Sequence, residues 1–141
     1  MTKFYWGRQG AGTLIFAEDT GRVLLLLRSE AVEDPGLWGI AGGRVEGESL
    51  REAALCETEE ELGPVDIRVD EEPFHVWHAP EGTFSYYTFR AAVPTEFSPT
   101  LNWENDDFRW VVPSEAVADR GVHPNVRRAL RAIAGTGRTR R

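Results

Sequence analysis

The sequence predicts one domain of mixed α and β structure (α+β or α/β), in which a mixed β-sheet lies between helices as an α/β/α sandwich. Strand-like segments lie on both sides of one sharply delimited helix, and an amphipathic helix follows near the end of the chain. A length of 141 residues is typical of a single compact domain. Since no repeat or linker divides the chain, we predict one domain over residues 1–134 and a flexible basic tail over residues 135–141.

The first regular structure is a predicted β-hairpin. Residues 12–17 and 22–28 are apolar and rich in strand-forming side chains, and residues 18–21 (Glu-Asp-Thr-Gly) are typical of a turn. Residues 24–27 are four consecutive leucines. A strand without polar alternation is expected to be buried on both faces of its sheet.

A helix is predicted over residues 49–62, followed by further strands. Ser49 and Glu52 have the spacing of a capping box, and Gly63 followed by Pro64 predicts the end of the helix. Strands are then predicted over residues 65–69, 74–78, 83–93 and 108–112, with a turn at 79–82, a helical turn at 114–118 and an amphipathic helix at 125–134.

Composition excludes several classes of protein. The one cysteine, Cys56, rules out an internal disulfide and a multi-cysteine zinc site. No apolar run is long enough to span a bilayer, and residues 1–10 lack the apolar core of a signal peptide, so we expect no membrane partner and a cytoplasmic location. The net charge of −7 argues against general nucleic-acid binding, which usually leaves a basic surface.

The predicted helix carries carboxylates on the face that should meet the core. At about 100° per residue, Ala53 and Ala54 lie on one face, and Glu57, Glu60 and Glu61 continue it. Like charges at this spacing repel, and partial burial increases the cost. A hard divalent cation, which prefers oxygen ligands, would offset that repulsion. For the helix alone, a solvated acidic face is the alternative.

A glycine-rich segment before the helix favours the metal site. Residues 42–48 read Gly-Gly-Arg-Val-Glu-Gly-Glu, which we interpret as a tight loop. Glycine lets the backbone approach a ligand closely, so that carbonyls can reach a metal and amides can reach a phosphate. A glycine loop alone is more often a simple turn. Beside a capped helix with three convergent glutamates, it predicts a metal site.

This stretch resembles the Nudix box, in which Gly, five residues, Glu and seven residues precede Arg-Glu-apolar-x-Glu-Glu-x-Gly-apolar. Here the pattern begins at Gly42, continues at Glu48 and ends with residues 56–64 (Cys-Glu-Thr-Glu-Glu-Glu-Leu-Gly-Pro), with every glutamate of the pattern in register. The resemblance implies the Nudix α/β/α sandwich. It also implies Mg²⁺-dependent hydrolysis of a nucleoside diphosphate linked to a group X, with Mn²⁺ as a substitute. A nucleoside triphosphate or related small nucleotide is the default substrate.

Three departures from the box affect the functional prediction. Cys56 replaces the arginine that orients the neighbouring glutamates in relatives. A guanidinium can donate two parallel hydrogen bonds to a carboxylate, and a thiol cannot. The loop is one residue shorter than usual when counted from Gly43, and Thr58 and Pro64 stand at normally aliphatic positions. The first departure bears on catalytic efficiency and the others on geometry and packing. A catalytically weak or inactive nucleotide-binding or regulatory module is therefore the alternative function.

The resemblance assigns roles to residues by position. Glu57, Glu60 and Glu61 are the expected metal ligands and catalytic carboxylates, with Glu57 the first candidate for the general base. A backbone carbonyl of Gly42 or Gly43 is expected to complete the ligand set.

Other residues are expected to support this site. Glu48 and Cys56 occupy supporting positions in the box. Glu104 resembles the loop acid that some relatives use as a further metal ligand or general base, and a solvated loop carboxylate is the alternative.

Substrate binding is predicted from residues outside the acidic helix. Arg28 and Arg44 are placed to contact phosphates, and a surface ion pair is the alternative for Arg28. Asn125 resembles the base-reading asparagine of MutT-type relatives, or caps the last helix. Two roles are open for five aromatic side chains, stacking on a nucleobase or packing in the core. These residues are Trp38, Phe84, Tyr86, Tyr87 and Trp103. The expected partners are thus a small nucleotide and, because dimers are common in the family, a second copy of the chain.

Overall fold

The structure, a computed structural model, describes residues 8–139, with side-chain environments over residues 8–133. The strands are β1 (Gln9–Ala17), β2 (Val23–Arg28), β3 (Trp38–Gly39), β4 (Ala41–Arg44), β5 (Arg68–Val69), β6 (His75–His78), β7 (Ser85–Val93) and β8 (Asn105–Val111). The helices are α1 (Leu50–Leu62), α2 (Pro113–Ala118) and α3 (Pro124–Thr139).

The sheet is mixed, as predicted, and β1 lies in its middle. It pairs in parallel with β7 along its whole length, from Gln9 opposite Ser85 to Ala17 opposite Val93. Antiparallel pairing with β2 forms the predicted hairpin, and antiparallel pairing with β4 extends the sheet beside the first half of β1. β5 and β6 pair with β7, while β3 and β8 pair with β2.

Two hydrophobic clusters lie on opposite faces of this sheet. Because side chains alternate along a strand, Ile15 and Leu24 reach the cluster under α1, and Leu14 and Leu25 reach the cluster under α2 and α3. This arrangement explains the uninterrupted leucines of β2: Leu24, Leu25 and Leu26 are buried, on both faces as predicted, and Leu27 is half-buried.

The predicted capping box of α1 is confirmed. The Ser49 hydroxyl accepts a hydrogen bond from the Glu52 N–H (3.1 Å), and the Glu52 carboxylate accepts one from the Ser49 N–H (3.3 Å). Gly63 ends the helix with a φ of 81°, a left-handed conformation that favours glycine. The first and last residues of α1 are thus fixed, and so is the face that its glutamates occupy.

Several predicted boundaries are wrong. Ala41–Arg44 forms strand β4 and is not the loop that its glycines suggested, because Gly42 pairs with Gly12 of β1. The segment 65–69 forms a strand only at Arg68–Val69. β8 begins at Asn105, three residues before the predicted start. These differences arise from pairing with distant strands, which a single segment does not encode.

The last helix also differs from its prediction. α3 begins at Pro124 and continues to Thr139, five residues past the predicted end at Ala134. Glycines weaken a helix by about 1 kcal/mol each but do not forbid one, and no proline follows to stop it. The predicted tail over 135–141 is therefore helical backbone through Thr139, and its last two residues lie outside the described part of the chain. Among the described residues, no helix has the length and apolar character of a membrane span.

Candidate active site

The buried carboxylate of Glu61 joins α1 to the sheet. Its side chain is only 3% exposed. One oxygen, Oε2, accepts a hydrogen bond from the Gly42 N–H of β4 (3.0 Å), and the other, Oε1, accepts one from Nδ2 of Asn105 at the start of β8 (2.9 Å). A buried carboxylate needs such partners to offset its lost hydration. Glu61 is therefore held in one position by two distant strands.

Gly43 allows Glu57 to lie against β4. A Cβ atom at position 43 would lie 2.5 Å from the carboxyl carbon of Glu57, so a larger residue there would displace this carboxylate. Glu57 itself is half-buried, one helical turn before Glu61. Gly43 is thus required by close packing of α1 on β4.

Glu104 approaches the same point from the loop before β8. One carboxylate oxygen from each of Glu57, Glu61 and Glu104 lies within 4.8 Å of the other two, and we call this group the carboxylate centre. The Glu104 N–H donates to Oδ1 of Asn102 (3.0 Å), and the Glu104 carbonyl accepts from the Ser29 N–H (2.9 Å). The loop that carries Glu104 is therefore anchored on both sides.

The environment of the carboxylate centre raises the pKa of two of its members. Burial raises the pKa of Glu61 to about 8, despite opposing hydrogen bonds from Asn105 and Gly42, and the charges of Glu104 and Glu57 add to the rise. Burial is also the main cause that raises the pKa of Glu57 to about 7, followed by the charge of Glu60. At neutral pH Glu61 is therefore mostly protonated and Glu57 partly protonated unless a cation offsets their charge. Mg²⁺ or Mn²⁺ would displace these protons and bind the clustered carboxylate oxygens.

Glu60 and the two supporting residues lie outside the carboxylate centre. Glu60 is exposed and acts on the centre through the effect of its charge on Glu57. Glu48 is exposed, and its Oε1 accepts a hydrogen bond from the Glu46 N–H (2.7 Å), so its observed contact stabilises the turn before α1. Cys56 is exposed as well. A role for these three residues in catalysis stays a prediction.

A cavity of about 560 Å³ opens beside the carboxylate centre, between the sheet and α3. Gly42 and Gly43 line it, so the cavity and the centre share the β4 backbone. Its other walls include aromatic side chains and more cationic than acidic ones. The aromatic ones are Trp77, Phe84 and Tyr86, the cationic ones are Arg8, Arg28, Arg44 and Arg128, and the acidic ones are Glu33 and Asp34. In a chain with a net charge of −7, this concentration of arginines indicates a site for an anionic ligand with an aromatic part.

Both predicted phosphate-binding arginines line the cavity. Nε of Arg28 donates a hydrogen bond to the Glu33 carbonyl (2.6 Å), which orients its guanidinium, whereas Arg44 is exposed. Asn125 also lines the cavity, and its Oδ1 is buried without a hydrogen-bond partner in the structure. The alternative that Asn125 caps α3 is wrong. It is the second residue of the helix, and its own N–H donates to Nδ1 of His123 (3.1 Å).

Trp38 is placed differently from its prediction. It does not line the cavity; it packs against the hydrophobic cluster under α2 and α3, and the Arg109 guanidinium lies 4.2 Å from its ring centre. The aromatic side chain that sequence reasoning missed is Trp77, which pairs across strands with Tyr86. The only sequence signal for Trp77 was its position in a predicted strand, and the strand register that brings it to the cavity is not visible in the sequence.

Tyr86 connects the cavity to the carboxylate centre. Its hydroxyl packs against the β1–β4 backbone so closely that a Cβ atom at Gly12 or Gly42 would clash with it. Burial raises the pKa of this hydroxyl, and the negative charge of Glu61 adds to the effect. The two glycines thus make room for Tyr86 at the junction of the two parts of the site.

A carboxylate centre between α1 and the loop before β8, beside a basic and aromatic cavity, fits a divalent cation next to an anionic small molecule. A family model described as the NUDIX domain matches residues 7–133 of the chain. The chain therefore belongs to the Nudix hydrolase family, and the predicted family membership is confirmed.

Individual relatives agree with this assignment. A CTP pyrophosphohydrolase of Escherichia coli (strain K12) is 35% identical over 92 residues, which cover 54% of this chain and 67% of that protein. The Nudix hydrolase RenU from M. smegmatis has a TM-score of 0.78 at 24% identity and covers 94% of this chain and 87% of its own. The MutT protein from Methanosarcina mazei Go1 has a TM-score of 0.76 at 23% identity, with 92% and 94% covered. The two structural likenesses confirm the predicted α/β/α fold.

Proposed function

We propose that the protein hydrolyses a phosphoanhydride bond of a nucleoside triphosphate, with CTP as the first candidate, at a Mg²⁺ site formed by the carboxylate centre. The observation that carries this proposal is the shared β4 backbone, because Gly42 and Gly43 contact the carboxylates and line the cavity. A ligand bound in the cavity would therefore lie against the same backbone that holds the carboxylate centre. The name of the Escherichia coli relative supports CTP.

The carboxylate oxygens of Glu57, Glu61 and Glu104 would hold the cation. A backbone carbonyl of Gly42 or Gly43 would complete the ligand set, as the resemblance to the Nudix box implies. When bound, Mg²⁺ would offset the charge on the phosphate oxygens and favour attack of water on phosphorus. Mn²⁺, which accepts the same oxygen ligands, is expected to substitute.

The residues of the centre are suited to different tasks. Glu61 has both oxygens in hydrogen bonds to distant strands, so its position is the more rigid. Glu57 is half-buried and more open to solvent, which favours it as the base that takes a proton from the attacking water, with Glu104 as the second candidate. This division rests on hydrogen bonding and exposure.

The cavity would hold the nucleoside and orient its phosphates. Arg28 and Arg44 would contact phosphate oxygens through charge-assisted hydrogen bonds. The rings of Trp77 and Tyr86, which line the cavity from neighbouring strands, offer apolar surface to a base. The buried, unpartnered Oδ1 of Asn125 would accept a hydrogen bond from an exocyclic amino group, such as that of cytosine.

A panel assay tests this proposal. The protein is incubated with Mg²⁺ and each of the common nucleoside triphosphates, and the products are separated by ion-exchange chromatography. We expect CTP and one water to give CMP and inorganic pyrophosphate, and no product in the presence of excess chelator. Tight binding of a nucleotide without product across the whole panel would instead support the alternative of a binding or regulatory module, for which Cys56 is the main argument.

A homodimer and a cytoplasmic location stay predictions.

A further inference from the structure

Asp34 lines the cavity and has an unusual backbone conformation. Among the described residues it is the only one other than glycine with a positive φ, which is 53°. Side chains adopt this left-handed conformation at a cost, although aspartate tolerates it better than most residues do. Residues held in such conformations occur most often at active sites and ligand-binding sites. The position of Asp34 in the cavity wall therefore suggests a role in binding the ligand.

The Asp34 carboxylate is held through one of its two oxygens. The Asn125 N–H donates to Nδ1 of His123 (3.1 Å), so that nitrogen carries no proton and Nε2 of the same ring donates to Oδ2 of Asp34 (2.9 Å). The other oxygen, Oδ1, has no hydrogen-bond partner within the described part of the chain. Because the Asp34 side chain is 54% exposed, a ligand in the cavity can reach Oδ1.

The loop between β2 and β3, which carries Asp34, is anchored at both ends. At its start the Ser29 N–H donates to the carbonyl of Glu104 (2.9 Å). At its end the Leu37 carbonyl accepts a hydrogen bond from the Arg28 N–H (2.9 Å). A binding group on such a loop loses little conformational freedom when a ligand arrives.

Contacts place Asp34 between the two ends of the proposed nucleotide site. On one side, His123 connects it to Asn125, the proposed acceptor for the amino group of the base. On the other side, the carbonyl of the neighbouring Glu33 accepts from Nε of Arg28 (2.6 Å), a proposed phosphate contact. In a nucleotide the sugar joins the base to the phosphates. The order of these contacts therefore places Asp34 beside the sugar.

The charge of Asp34 decides which part of a nucleotide it can bind. A carboxylate repels phosphate oxygens but accepts strong hydrogen bonds from neutral hydroxyl groups. We propose that Oδ1 of Asp34 accepts a hydrogen bond from a ribose hydroxyl of the substrate, so that Asp34 selects nucleotides by their sugar. This inference rests on the proposed function, because the base and the phosphates must occupy the positions proposed for them.

A matched pair of ligands tests this proposal. CTP and 2′,3′-dideoxy-CTP, both with a methylene bridge between the α- and β-phosphates that resists cleavage, are titrated calorimetrically into the protein with Mg²⁺. The two ligands differ only in the sugar hydroxyls. In the wild type we expect the ribose ligand to bind about tenfold more tightly, which is the size of effect that one hydrogen bond to a charged group gives.

Variants then assign that difference to the Asp34 carboxylate. Asp34→Gly deletes the side chain without straining the backbone, since glycine adopts a positive φ freely, and should reduce the ratio of the two affinities to about one. Asp34→Asn keeps an oxygen acceptor without the charge and should retain part of the ratio. Glu30→Gln removes a charge from the same loop outside the cavity and should leave the ratio unchanged.

A purely structural role for the contact between Asp34 and His123 has a different consequence. Asp34→Gly would then weaken the binding of both ligands equally, and their ratio would stay as in the wild type. That result, or equal affinities in the wild type, would overturn the inference and leave the proposed function intact. If neither ligand binds the wild type, the proposed function fails first and the inference with it.

Discussion

The two faces of the sheet supply different parts of the site. On the α1 side, a buried glutamate is tied to the sheet by backbone and side-chain hydrogen bonds, and glycines allow the close approach. On the α3 side, aromatic and cationic side chains from distant strands and loops line an open cavity. The α1 side is a rigid arrangement of charges, and the α3 side is an adaptable surface for a ligand. We therefore expect substitutions on the α1 side to affect turnover and stability, and those on the α3 side to affect substrate affinity.

The largest effect should follow loss of the buried charge. Glu61→Gln keeps the shape of the side chain but removes its charge, and we expect Mg²⁺-dependent turnover of CTP to fall by about a hundredfold. Glu60→Gln should lower turnover by at least about tenfold if the resemblance to the box holds at this exposed position. Steady-state kinetics measure both. Glu59→Gln, exposed on the same helix and outside the box pattern, is the matched control. Wild-type rates in Glu61→Gln and Glu60→Gln alike would reject the assignment.

Close packing where Tyr86 joins the cavity to the carboxylate centre predicts a loss of stability in Gly42→Ala. The added Cβ would clash with the Tyr86 hydroxyl and lie 2.8 Å from the Ala11 carbonyl. We expect the free energy of unfolding to fall by about 1–3 kcal/mol, measured by urea denaturation. The second substitution Tyr86→Phe should restore part of this loss, because it removes the hydroxyl. Equal stabilities of the wild type and Gly42→Ala would contradict the packing described.

The carboxylate centre also predicts how stability depends on pH without metal. The pKa values of Glu61 and Glu57, about 8 and about 7, lie above their ordinary value of 4.5, so the folded chain holds protons that the unfolded chain has released. Their contribution to stability is complete below pH 4.5, falls as pH rises and is lost above about pH 8. The Tm of the chelator-treated protein should fall across this window, less steeply in Glu61→Gln. Mg²⁺ should restore it at high pH. A Tm that rises across the window would refute the account.

Substitution in the cavity should give the smallest effect, confined to affinity. Asn125→Ala removes one hydrogen-bonding group, so we expect the KM for CTP to rise by about tenfold or less with kcat nearly unchanged. Trp38→Phe should leave KM unchanged, since Trp38 lies outside the cavity. A KM that rises in Trp38→Phe and not in Asn125→Ala would reverse our placement of the substrate.

The two faces also differ in how far the sequence reveals them. The capping box, the glutamates and the closing glycine of α1 lie within one short segment, so helical periodicity and the resemblance to the box identify them. Asn105, which holds Glu61, and Trp77, which lines the cavity, reach the site through strand pairing, and no local pattern encodes that register. The glycines of β4 predict a loop when the sequence is considered alone. The structure shows that they make room for Tyr86 and Glu57, which come from other parts of the chain.

Binding of Mn²⁺, followed by the electron paramagnetic resonance signal of the free ion, tests the central claim most directly. The account predicts saturable binding by the wild type and by Glu59→Gln, with at least about tenfold weaker binding by Glu61→Gln and Glu104→Gln, since each loses one charged oxygen ligand. Equal affinity in all four proteins would show that the cation binds elsewhere and would contradict a metal site at the carboxylate centre.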